Sequence, residues 1–156
     1  MTMTPGDAHS CVSFSNDDLE RMKKAVKDAE AKTSGEIRVV IGSTYDPGVS
    51  DIQKQARYDF EDYGLLDTQG GSGVLLLVLI KERMFTITGD YGVYSKLPQS
   101  YWDHLAITLS RYFRQDDFVG GICHVVEAIG LQLSAYFPRH PNDVNELPDG
   151  VIVKEV

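Results

Sequence analysis

The chain has 156 residues, 42% of them apolar and 24% charged, which suits one soluble domain with a real core. Its formal charge is −8, from 23 Asp and Glu against 15 Lys and Arg, and no Lys/Arg stripe occurs. That argues against general nucleic-acid binding, which needs basic surface to neutralise phosphates, and suits a solvated acidic surface or cation binding.

Met1 to Ser13 is polar and aperiodic and reads as a flexible leader. The expected boundaries are a leader over 1–14, one α/β domain over 15–141 and a tail over 142–156. No apolar run follows a basic segment at the N-terminus, so no signal peptide is visible. The longest unbroken apolar run is too short to span a bilayer as a helix. A cytoplasmic protein with no membrane span is the default expectation. Cys11 and Cys123 lack metal-ligand spacing and are expected as free thiols.

Ser15-Asn16-Asp17-Asp18 opens a helix, with small polar caps followed by carboxylates at the positive end of the dipole. Leu19, Met22, Val26 and Ala29 follow at helical spacing, to about Lys32. Glu36 to Gly42 reads as a strand, and Asp46-Pro47-Gly48 as a turn. Val49, Ile52, Ala56, Phe60 and Tyr63 mark a second helix, ending at Gly64. Leu65 to Ser72 is a loop that closes on Gly70-Gly71-Ser72.

Val74 to Ile80 is apolar throughout, the pattern of a strand covered on both faces. A strand, a crossover helix and a strand predict a parallel pair. Lys81-Glu82 is a tight turn into Arg83–Thr88, although it lacks the favoured Asn-Gly or Asp-Gly pair. Gly89-Asp90-Tyr91-Gly92 is a polar loop, and loop continues through Pro98. Tyr101, Trp102, Leu105, Leu109 and Tyr112/Phe113 mark a third helix, ending near Gln115-Asp116-Asp117. Phe118, Ile122, Val125, Ile129, Leu133 and Tyr136 mark a fourth, stopped by Pro138 and Pro141. Val151-Ile152-Val153 could add an edge strand or cap an apolar groove. The sum is a three-layer α/β/α sandwich with a small mixed sheet and about four main helices.

If the first two strands are parallel, both start at one edge, and the hairpin's return strand ends there. Glu36, Asp67 and Asp90 then meet glycine-loop backbone, and such oxygen ligands are what Ca²⁺ or Mg²⁺ requires. The plainer reading is that these carboxylates cap helices or turns. Asp116-Asp117 is a second acidic candidate, which most simply caps the next helix. Loop lengths do not settle which edge it occupies.

No catalytic constellation is visible. Gly70 to Gly73 precedes a strand, whereas a phosphate-binding glycine loop opens a helix. No nucleophile-elbow serine and no HExxH pair occur. Cys123 and His124 are helix neighbours, so they point about 100° apart and form no dyad.

The pattern resembles the TPM domain family, named for a thylakoid lumen protein, a photosystem II repair-associated protein and a receptor-modulating membrane protein. The resemblance rests on Ser34-Gly35-Glu36, Gly73 to Val78, Ile87-Thr88-Gly89-Asp90-Tyr91-Gly92, Trp102, Phe113 and Asp117 to Ile122. Phe137-Pro138 and Asn145-Glu146-Leu147-Pro148 look like the short bacterial branch without a membrane anchor. The resemblance spans about residues 16 to 150. It implies an α/β/α sandwich, Ca²⁺ binding in some members, and acid phosphatase activity in a plant member. Asp90 and Asp117 match acidic motif positions and are carried over as ion ligands, with Glu36 and Asp67 beside them. The expected function is a Ca²⁺- or Mg²⁺-binding interaction or assembly module with an unidentified protein partner. The alternative is a metal-assisted acid phosphatase, with the ion polarising a phosphoryl oxygen.

Overall fold

The computed structural model describes residues 14–140 and 150–154. Cys11, residues 1–13 of the expected leader and most of the tail lie outside them. Helix α1 (Asn16–Glu30) starts where the cap signal places it. The Asp18 N–H donates to Ser15 Oγ and the Ser15 N–H donates to the Asp18 carboxylate, a reciprocal capping box. Met22, Val26 and Ala29 face the core, and so does Glu30.

Strand β1 (Glu36–Gly42) follows. Helix α2 (Ile52–Asp62) begins after Val49, because Asp51 is its cap, accepting from the Gln53 N–H. Val49 instead closes a turn on Asp46, with Gly48 at φ 81°. Two short 3-10 turns, Leu65–Asp67 and Gln69–Gly71, then lead into strand β2 (Gly73–Leu79). Every residue of β2 is buried, as its unbroken apolar run predicts. Each fully buried Val or Leu there contributes roughly 1.5–3 kcal/mol, so this strand anchors the core.

The hairpin differs from the expected two-residue turn. Leu79 pairs with Met84, so the loop is Ile80 to Arg83, and strand β3 is Met84–Gly89. A two-residue hairpin favours glycine or asparagine in left-handed conformations, which Lys81-Glu82 does not supply. The chain takes a four-residue loop closed by Arg83 N–H to Ile80 O, with Arg83 left-handed at φ 54°.

Gly89 to Gly92 is more ordered than a loop. Asp90 caps the one-turn helix α3 (Tyr91–Tyr94). Helices α4 (Gln99–Arg114) and α5 (Phe118–Tyr136) follow, then strand β4 (Val151–Val153). Helix α5 is long and apolar enough, by length and composition, to cross a membrane. Here its apolar side is buried against the other helices and the sheet.

The sheet order is β3-β2-β1-β4, with β1 parallel to both β2 and β4 and β3 antiparallel to β2. Val151 to Val153 therefore takes the edge-strand option. Ile37, Val39, Ile41, Val74, Leu76 and Val78 pack beneath α1, α4 and α5. Val40, Leu75, Leu77 and Leu79 pack against α2 through Ile52, Ala56 and Phe60. Alternating side chains thus cover both faces of the sheet, and the fold is an α/β/α sandwich.

Candidate functional site

At one end of the sheet, β1 and β2 begin and β3 finishes. Glu36 pairs with Gly73, Val74 pairs with Gly89, and the Asp90 N–H donates to Gly73 O at 2.9 Å. The Gly70-Gly71 backbone lies against this end, with both residues left-handed at φ 67° and 66°. A Cβ on Gly92 would overlap Gly70 O and sit 2.7 Å from Gly71 O, and one on Gly71 would lie 3.7 Å from Asp90 Cγ. Glycine at both positions is what lets two backbone segments and the Asp90 carboxylate share this space. Asp90 Oδ1 accepts from the Tyr91 N–H at 2.7 Å. Asp67 sits exposed on the preceding 3-10 turn.

Glu36 belongs to this end by its backbone, but its side chain is buried. It is 3% exposed and hydrogen-bonds Glu30, itself 5% exposed. Glu30 also accepts from the Ile37 N–H at 2.9 Å. Burial first, and then the bond to Glu36, push the Glu30 carboxyl up to about 8. Glu30 therefore holds a proton near neutral pH, and its bond to Glu36 ties both side chains into the interior rather than leaving them as free ligands. The spacing of α1 carries a signal for Glu30: it continues the Met22, Val26 stripe by four more residues.

Asp117 lies at the other end of the sheet. Phe113 and Phe118 rings stand 4.9 Å apart, and Phe113 meets Phe85 at 5.6 Å. Phe85 pairs with Val78, near the finish of β2. The 19-residue α5 then runs about 28 Å back, until Phe137 O accepts from the Ser34 N–H beside the start of β1. Asp117 therefore does not join Asp90. It caps α5, accepting from the Gly120 N–H at 2.9 Å. A Cβ on Gly120 would collide with that carboxylate, and one on Gly121 would sit 2.7 Å from Tyr112 Cβ. The Asp117–Gly121 run thus builds a helix cap and a close α4–α5 crossing.

The same far end carries an ionic cluster that the sequence reading did not single out. Lys154 Nζ lies 2.6 Å from the buried Asp59 Oδ1 and 3.7 Å from Asp46 Oδ1. Gln55 Nε2 donates to Asp46 at 2.9 Å and to Asp59 at 3.2 Å. Burial raises the Asp59 carboxyl above its ordinary value against the opposing pull of Lys154. Gln55 and Asp59 sit four residues apart on the core-facing side of α2, which is the trace they leave in the sequence.

Among the described residues, no group of three or more His, Cys, Asp or Glu side chains converges on a metal position. The oxygen groups packed at the glycine end are the Asp90 carboxylate, against Gly71, and the Gly70 and Gly71 carbonyls, against Gly92. All are hard oxygens, the donor chemistry of Ca²⁺ or Mg²⁺. Asp117, at the other end of the sheet, is not among these groups.

This architecture is that of an α/β/α domain with a glycine-lined loop end. The sequence model of the TPM domain matches residues 12–132, and the chain belongs to that family. Among solved structures it is similar to the BA42 protein of the psychrophilic bacterium Bizionia argentinensis, at 29% identity and TM-score 0.82, over 93% of this chain and 99% of that one. It shares its fold with the N-terminal domain of cg2496 from Corynebacterium glutamicum, at 19% identity and TM-score 0.60, over 86% of each chain. An N-terminal domain from P. gingivalis is alike at 19% identity and TM-score 0.64, over 81% of this chain and 82% of that one. A search of curated proteins returned no match.

Proposed function

We propose that this TPM domain is an interaction module whose glycine end takes a divalent cation at Asp90. One observation carries the reading: the Asp90 carboxylate packs against the left-handed Gly70-Gly71 backbone, whose carbonyls face Gly92. Asp90 and the carbonyls of Gly70 and Gly71 would hold the ion, with water completing the six to eight oxygens that Ca²⁺ takes. A site with one carboxylate is a weak one, so binding is expected in the millimolar range typical of low-charge sites. A bound ion would neutralise local negative charge and stiffen the loops, presenting an ordered surface to a partner.

The test is Ca²⁺ and then Mg²⁺ added to chelator-treated, ¹⁵N-labelled protein. Saturable shifts at the Gly71 and Tyr91 amides support the reading. Shifts spread over unrelated surface acids, or none at all, contradict it. An ion-dependent turnover of p-nitrophenyl phosphate that Asp90→Ala abolishes would favour the phosphatase alternative instead.

A further inference from the structure

Among the described residues the sheet has two outer strands, and they are guarded differently. β4 has three residues and runs directly into Lys154. β3 has six residues, Met84 to Gly89, with no charge, no proline and an unbroken register. Edge strands are usually shortened, charged, bulged or covered, because their unpaired backbone groups invite another strand. The Asp90 N–H bond to Gly73 O fixes the alternation of the ladder. Thr88 and Thr86 then bond inward to β2, and the N–H and C=O groups of Ile87 turn to the outer edge.

A cleft of about 260 Å³ follows that edge. Gln53 of α2 stands on one side, with Tyr94, Gln99, Trp102 and Asp103 of α3 and α4 on the other. Trp102 is 6% exposed, and its buried indole N–H has no hydrogen-bond partner among the described residues. A buried donor left unmet is unfavourable, and an acceptor on a ligand would relieve that cost. The charged side chain on the cleft wall is Asp103, on a chain whose formal charge is −8.

We propose that this cleft receives an extended, basic peptide segment of a partner protein, which adds to β3 as a further strand. The peptide backbone pairs with Ile87, a peptide carbonyl accepts from the Trp102 indole, and a Lys or Arg side chain meets Asp103. Main-chain pairing gives the affinity in such strand addition, and flanking side chains give the selectivity. A second copy of this chain is disfavoured as occupant, since it brings the same net charge of −8 against Asp103. The proposal deepens the interaction-module reading and does not depend on the cation.

The experiment titrates the ¹⁵N-labelled full chain, with chelator present, with a pool of end-blocked eight-residue peptides alternating Lys or Arg with Val or Thr. The expected result is saturable shifts of the Ile87 amide and the Trp102 indole N–H. The same peptides N-methylated at alternate residues should lose binding, and a pool with Glu for Lys and Arg should bind about tenfold more weakly. Asp103 is exposed, so Asp103→Lys should fold normally and reverse that charge preference. No shift at β3 in millimolar peptide overturns the proposal, as does equal binding by the N-methylated pool. Shifts at β3 that follow protein concentration without peptide overturn it in favour of a second copy. Because the chelator removes the cation, failure here leaves the Asp90 reading standing, and failure of that reading leaves this one.

Discussion

The two ends of the sheet use the same residue type for different ends. At the far end, three acids each have a partner. Asp59 has Lys154 at 2.6 Å, Asp46 has Gln55, and Asp117 takes the Gly120 N–H. At the glycine end, Asp90 accepts one short bond from the Tyr91 N–H and adjoins two left-handed glycines. Just behind it, Glu30 and Glu36 are hydrogen-bonded to each other out of solvent. Acidic residues at the far end hold the fold together, whereas Asp90 retains donor capacity for a ligand.

The largest expected effect lies at the far end. Lys154→Met leaves Asp59 buried without its ammonium, and breaking such a pair costs about 3–5 kcal/mol. Chemical denaturation should show that loss, with the ion response at the glycine end unchanged. An effect within experimental error would mean that Asp59 is not held as an ion.

Gly92→Ala sharpens the other side of the comparison. Its Cβ meets the Gly70 and Gly71 carbonyls, which are backbone and move only with the loop. Overpacking of this kind costs about 1–3 kcal/mol. It should also abolish the Ca²⁺-induced shifts, which Lys154→Met does not touch.

The acid pair predicts a pH dependence. Glu30 titrates from an ordinary value of 4.5 to about 8 in the folded chain, chiefly through burial. Between those values the folded chain keeps a proton that the unfolded chain releases, so stability falls as pH rises through the window and levels off above about 8. Glu30→Gln keeps a neutral hydrogen-bonding group and should flatten that slope. The difference between pH 5 and 8 should be at least about 1.4 kcal/mol, the worth of one pKa unit. Parallel slopes for the two proteins would contradict the raised Glu30 carboxyl.

The fold was legible where periodicity was strong. The unbroken apolar run of β2, the 3.6-residue stripes of α4 and α5, and the Ser15 cap all appear in place. The βαβ inference also brought Glu36, Gly70–Gly73 and Gly89–Asp90 to one end correctly. Asp117 could not be placed because the direction of α5 depends on packing, through Phe85, Phe113 and Phe118, which leaves no local signature. Glu36 was legible as a position but not as a side chain. Its burial depends on Glu30, a residue on another element. The Lys81-Glu82 pair conceals a four-residue loop, because a two-residue hairpin demands backbone angles those residues avoid.

The most direct test is thermal unfolding of chelator-treated protein titrated with Ca²⁺, comparing the wild type with Asp90→Ala and Asp117→Ala. A ligand that binds only the folded state raises the midpoint, by about 3–6 °C when it exceeds its Kd tenfold. Asp117→Ala should start about 1 kcal/mol less stable, from loss of the α5 cap, yet keep the full ion-dependent rise. Asp90→Ala should lose that rise. The opposite pattern, a rise kept without Asp90 and lost without Asp117, would contradict the account and move the site to the far end of the sheet.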